Sequence, residues 1–195
     1  MNTVIRYLIA LCLLALASVR LDAQRTPIDN MYAVFSDACV VMECDYSITM
    51  SENRITGKAV LQVQDGMYTV EGNGLEICCD GESLWTSDLS ACESYIEPAS
   101  PILFSEMESR FAVADVKNTD KGWLYELRCE DADMVKKAVL LLSSDGVILD
   151  GRFELADGNV VDVKVGSMKS EEKKSVTSFR PQIEFGPEWV VTDLR

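Results

Sequence analysis

The sequence predicts a mainly β, α+β fold: an antiparallel meander curled over an apolar interior, with two short helices to cover it. Three observations carry this. From residue 39 onward apolar and polar residues alternate through most of the chain, the period of half-buried strands. Asp-Gly recurs at 65–66, 80–81, 145–146, 150–151 and 157–158, and such pairs between alternating runs are the strongest short-range hairpin signal. Roughly ten or eleven strands then present one apolar side each, at about 25 cal/mol for every Å2 that leaves water. Two short helices cannot cover so much surface, so the sheet must curl, pair with a second sheet, or enclose something apolar.

The chain opens with Met1-Asn2-Thr3-Val4-Ile5-Arg6, an apolar run from Tyr7 to Ala17, and Ser18 to Gln24. A basic start, an apolar run of roughly 11 residues and a small-residue exit describe a secretory signal peptide. Cleavage is expected after Ala23, with Ala17 as the alternative, leaving residues 24–195 as one domain. Thr26-Pro27 followed by Ile28, Met31, Tyr32, Val34 and Phe35 predicts an N-capped amphipathic helix to about Ala38. Val40, Met42, Cys44, Tyr46, Ile48 and Met50 then alternate as a long strand. Ala59, Leu61 and Val63 continue the pattern to Asp65-Gly66, and Tyr68 and Val70 follow it to the Gly72-Asn73-Gly74 turn. Leu75 and Ile77, Leu84-Trp85, and Cys92 to Glu97 supply three more strands. Pro98-Ala99-Ser100-Pro101 leads into Ile102, Leu103, Phe104, Met107 and Phe111, which predict a second helix. Strands resume with Trp123, Tyr125, Leu127 and Cys129, then Val139–Leu142, Val147–Leu149, Phe153–Leu155, and Val161, Val163 and Val165 against Asp162 and Lys164. Ser170 to Ser175 reads as a solvated charged loop before the closing Phe179, Ile183, Phe185 and Trp189 to Arg195.

Composition narrows the function. With 18 Lys+Arg against 32 Asp+Glu and a formal net charge of −14, the chain lacks the cations that neutralise nucleic-acid phosphates or anionic lipid headgroups. The absence of histidine removes imidazole acid–base catalysis, His-dependent nucleophiles and His metal ligands. The carboxylates sit mostly in hairpin turns (Asp65, Asp80, Asp145, Asp157) or at the polar positions of strands (Glu43, Asp45, Asp162), where solvation explains them. No enzymatic activity, cofactor or metal is expected. Cys39, Cys44, Cys78, Cys79, Cys92 and Cys129 form an even set in an exported chain, which permits disulfides, but buried free thiols suit the strand positions equally well.

The order of elements, with Glu76-Ile77-Cys78-Cys79-Asp80-Gly81-Glu82-Ser83-Leu84-Trp85-Thr86 and the ending Phe185-Gly186-Pro187-Glu188-Trp189-Val190-Val191-Thr192-Asp193-Leu194-Arg195, resembles the periplasmic outer-membrane lipoprotein carrier (LolA-like) family. That resemblance implies an unclosed antiparallel β half-barrel with short lid helices around a hydrophobic cavity. It further implies a periplasmic carrier; with no later segment near the roughly 20 apolar residues of a membrane helix, a monomer without stable membrane insertion is expected. The carrier would receive lipoprotein acyl chains from an inner-membrane exporter and pass them to an outer-membrane acceptor. A 16-carbon chain buries on the order of 12 kcal/mol, at about 0.8 kcal/mol per CH2, so it needs shelter in transit. The arginine with which well-studied carriers hold the lid has no counterpart in Val63-Gln64-Asp65-Gly66. A lipid- or protein-binding envelope sensor that retains its ligand is the alternative on the same scaffold.

Alternation and the shortage of helices place the cavity wall at Met42, Tyr46, Ile48, Leu61, Val63, Tyr68, Val70, Ile77, Trp85, Trp123, Tyr125 and Leu127, covered by Phe35, Leu103, Phe104, Met107 and Phe111 from the helices. Periodicity leaves open whether side chains fill the interior or a hollow remains for a ligand.

Overall fold

The computed structural model describes residues 25–51, 53–99, 111–129 and 135–195. The leader-like segment and the lid positions Leu103, Phe104 and Met107 lie outside them.

Helix α1 spans Pro27–Asp37. Thr26 Oγ1 accepts from the Asp29 N–H while the Asp29 carboxylate accepts from the Thr26 N–H, a reciprocal cap that satisfies two otherwise orphaned donors. Pro27 takes the first position, where no N–H is needed. Ile28, Met31 and Phe35 form its buried stripe.

Among the described residues twelve strands follow: β1 (Cys39–Met50), β2 (Asn53–Gln64), β3 (Met67–Gly72), β4 (Leu75–Cys79), β5 (Ser83–Asp88), β6 (Glu93–Pro98), β7 (Phe111–Thr119), β8 (Gly122–Cys129), β9 (Val135–Leu142), β10 (Ile148–Leu155), β11 (Val160–Glu171) and β12 (Val190–Asp193). They make one sheet in the order β12-β6-β5-β4-β3-β2-β1-β11-β10-β9-β8-β7. The edge strands β12 and β7 do not meet, so the sheet is an unclosed half-barrel. Two meanders, β1 to β6 and β7 to β11, are joined where β11 pairs with β1 along nearly its whole length. All neighbours are antiparallel except β12, which lies parallel to β6.

Several details differ from the sequence reading. Phe111 does not end a helix; it begins β7, an edge strand that the sequence pattern hides. A bulge between Val113 and Asp115 sets Val113 opposite Leu127 and Val116 opposite Tyr125, so residues three apart share a face and the period of two is broken. Asp150-Gly151 is not a turn but lies inside β10, opposite Leu141 and Leu140 on one side and Lys164 and Val163 on the other. With strands available on both flanks, ladder pairing prevails over the local turn tendency of the dipeptide. Asp65-Gly66 and Asn73-Gly74, by contrast, both hold positive φ (48°, 80° and 52°, 77°), the two-residue hairpin geometry their composition favours.

The segment after β11 is pinned rather than free. Lys173 Nζ donates to both Asp65 oxygens at 2.8 and 2.9 Å, and the Gln64 side chain bonds both the N–H and the C=O of Lys174 at 2.7 and 3.1 Å. Gln64 and Asp65 thus fasten the C-terminal strap. A 3-10 turn, Val176–Phe179, packs on β3 and buries Phe179 completely. Arg180 Nε then meets Asp80 Oδ2 at 2.8 Å, and Val190 opens β12.

Asp80 is the anchor of this arrangement. Its side chain is almost fully buried, and burial alone would raise its pKa; the Ser83 and Glu82 N–H groups and the Arg180 guanidinium together hold it below the ordinary aspartate value. A depressed folded-state pKa contributes stability that is complete above the unfolded value and is lost as the pH falls through the folded one. Asp80→Ala should therefore lower stability by about 2–3 kcal/mol at pH 7. The deficit should shrink to a smaller packing residue in acid, as read by urea unfolding at both pH values.

Candidate ligand-binding cavity

The two faces of the sheet differ in chemistry. Following the cross-strand pairs from Ile77 through Val70 and Leu61 to Met42, and on through β11 and β10, traces a concave face that is apolar nearly throughout. The convex face carries charges over β1, β2, β10 and β11, with Lys58 paired to Asp45 and Arg152 to Asp162. Over β4 to β6 that outer face is covered: Glu76, Ser87 and Ser94 are buried, on the same side as Cys78 and Trp85, with the two serine hydroxyls 3.0 Å apart. Burial pushes the Glu76 carboxyl up, offset in part by the Gln182 N–H.

On the concave face α1 closes one end. Ile28, Met31 and Phe35 join Val40, Val63, Tyr68 and Cys79 in the buried core, which continues through Phe111, Tyr125, Leu127, Ala138, Leu140 and Leu142. Beyond the helix a cavity of about 420 Å3 remains. Its walls are Met42, Cys44, Tyr46 and Ile48 from β1, Ala59 and Leu61 from β2, Val70 and Gly72 from β3, and Leu75 and Ile77 from β4. The other side is formed by Val135 of β9, by Ile148, Gly151, Phe153 and Leu155 of β10, and by Val161, Val163 and Val165 of β11. No charged residue is among them. Burial raises the pKa of the Cys44 thiol above its ordinary value, so at neutral pH it is protonated and behaves as a small apolar group. Such a lining can exclude water and hold hydrocarbon; it offers no countercharge to a charged ligand.

Six of the twelve residues expected in the wall line this cavity: Met42, Tyr46, Ile48, Leu61, Val70 and Ile77. Val63, Tyr68, Tyr125 and Leu127 share the concave face but are packed into the core, and Trp123 is partly buried against that core. Trp85 is elsewhere. It pairs with Cys78 and Ile96, so it stands on the opposite side of the sheet from Ile77. The hairpin register sets this: Cys79 pairs with Leu84, which makes Leu84 rather than Trp85 continue the concave row. Of the covering residues, Phe35 and Phe111 are both buried in the core.

Sequence reasoning misses the wall from β9 to β11 as a site, although Val161, Val163 and Val165 alternate as plainly as β1 does. Alternation reports a buried face without saying which cavity it borders. Only the pairing of β11 with β1, more than a hundred residues apart in the chain, brings Val163 beside Tyr46.

No protein-family model matches this sequence, and no curated protein sequence matches it. Among solved structures the chain is similar to an uncharacterized conserved protein from Thermus thermophilus, with 13% identity, a TM-score of 0.54, and coverage of 86% of this chain and 96% of that one. It is also similar to a LolA superfamily protein from Nitrosomonas europaea, with 13% identity, a TM-score of 0.43, and coverage of 80% and 96%. A domain from Vibrio parahaemolyticus described by outer membrane lipoprotein sorting is similar at 9% identity and a TM-score of 0.43, over 81% and 97%. The likeness to the Thermus protein is one of fold alone. The unclosed half-barrel implied by the family resemblance is the one observed, with α1 against its apolar concave face; the segment expected to form the second lid helix lies outside the described residues.

Proposed function

We propose that this protein binds the acyl chains of lipoproteins in the concave cavity and carries them through the periplasm toward the outer membrane. The observation that carries this reading is the cavity itself, about 420 Å3 of apolar hollow with no charged residue among the described residues of its wall. That volume lies within the range of roughly 300–1,000 Å3 common to small-molecule sites. Hydrocarbon is the ligand such a wall rewards, because each CH2 it shelters is worth about 0.8 kcal/mol. The leader-like first 23 residues and the resemblance to periplasmic carriers support the compartment and the direction of traffic. Among the described residues no helix is long and apolar enough to cross a membrane.

Two measurements test it. Native mass spectrometry of protein purified from its own envelope should show a bound lipid adduct. Protein loaded with a fluorescent acylated lipopeptide should release it to acceptor vesicles faster than the lipopeptide transfers unaided. Absence of any adduct together with failure to take up the lipopeptide would refute lipid binding, whereas uptake without release would leave a retaining sensor in place of a carrier.

A further inference from the structure

Tyr46 is the wall residue with the strongest hydrogen-bonding side chain, and its setting is unusual within so apolar a cavity. Gly57 is its cross-strand partner on β2. A Cβ at position 57 would collide with the phenolic oxygen and with the Asn73 amide, so the missing side chain is what lets the ring lie across β2. The ring thereby reaches the β3–β4 turn, where Asn73, at φ 52°, donates from Nδ2 to Tyr46 Oη at 2.8 Å. A phenol that accepts one hydrogen bond still has its own proton to donate, and no described residue accepts it. Asn73 likewise keeps a second N–H and its carbonyl oxygen available.

Among the described residues the cavity wall itself carries no charge, and Asp88, opposite Leu75 on the same side of the sheet, is acidic. Lys58 and Asp45 pair with each other, Arg54 donates to Ser47, and Arg152 is held by Asp162, all on the convex face. The formal net charge of −14 further disfavours an anion.

The geometry points to a carbonyl-binding subsite in which Tyr46 and Asn73 hold the uncharged ester or amide group at the polar end of an acyl chain whose hydrocarbon fills the cavity. This rests on the lipid-binding reading and names which lipids it takes. An ester or amide carbonyl accepts from the phenol and leaves no charge to neutralise. A fatty-acid carboxylate entering the same place gives up hydration against the apolar wall and meets no cation among the described residues. Neutral acyl esters and amides therefore bind in preference to free fatty acids.

The test is displacement of the uncharged dye N-phenyl-1-naphthylamine at pH 8. The competitors are 1-monomyristoylglycerol (ester), N-myristoylglycinamide (amide) and myristate, which share one acyl chain. In the unaltered protein the two neutral lipids should displace the dye at roughly tenfold lower concentration than myristate. Tyr46→Phe and Asn73→Ala should each weaken the neutral lipids by about 5- to 10-fold, the net worth of one hydrogen bond, and narrow the gap between them and myristate. A preference for only one of ester and amide would identify which linkage the subsite takes. Equal affinity for myristate, or variants that bind the neutral lipids as tightly as the parent, would overturn the subsite while leaving lipid binding intact. Failure of the dye and all three lipids to bind the parent would overturn both.

Discussion

Leu61→Asp is expected to weaken binding of an uncharged apolar dye or acyl ligand by about 100-fold or more, with little change in folding stability. Leu61 is only partly buried, because it borders a hollow rather than a filled core. In the empty protein an aspartate there stays hydrated, and the cost of stripping that water falls on ligand entry. Desolvating an unpartnered polar group costs roughly 2–7 kcal/mol, and a charge more. Val163→Asp, across β1 on β11, should behave the same way. The neighbouring residue supplies the control. Val60 pairs with Glu43 and Glu71 and points outward, so Val60→Lys should leave dye affinity within about twofold. Dye titration with circular dichroism as the check on folding reads all three. Retained binding in both Asp variants would show that the cavity is not where the ligand sits.

Gly146→Ala should destabilise the protein by about 3 kcal/mol or more and loosen α1. Gly146 sits in the β9–β10 turn at φ +85°, where an L-residue costs roughly 1–2 kcal/mol. The larger part comes from contact. A Cβ there would stand 2.6 Å from the Pro27 carbonyl oxygen and 2.7 Å from the Met31 nitrogen. Backbone on both sides leaves no flexible side chain to yield, so the helix must shift and Ile28 and Met31 lose burial. Gly158→Ala isolates the backbone contribution, since Gly158 holds nearly the same φ, +87°, with nothing within 4 Å of its Cβ position. Urea unfolding should separate the two variants by about 2 kcal/mol. Equal losses would mean that the turn does not hold the helix.

Much of this architecture was legible because its signals are local. The capped helix at Pro27, the tight turns at Asp65-Gly66 and Asn73-Gly74, and the strands on either side of them follow from residues within a few positions of one another. The bulge in β7 and the continuous ladder through Asp150-Gly151 were illegible because pairing with the adjoining strands, β8 for the bulge and β9 and β11 for the ladder, overrides the local pattern. The site divides in the same way. Tyr46, Leu61 and Ile77 announce a concave face by alternation, but Trp85 alternates just as well and stands on the other side. A three-residue connection between Cys79 and Ser83 set its parity.

What the chain's own order of residues determined is a curved, one-sided apolar sheet with too little helix to cover it, in a strongly acidic molecule without histidine. Tertiary structure alone decided that β11 closes onto β1, that the C-terminal strap seals the outer face instead of the mouth, and that a hollow remains beyond α1. The reason is physical. Periodicity records which side chains avoid water, whereas the volume left between them depends on sheet curvature and long-range register, and no short stretch of sequence encodes either.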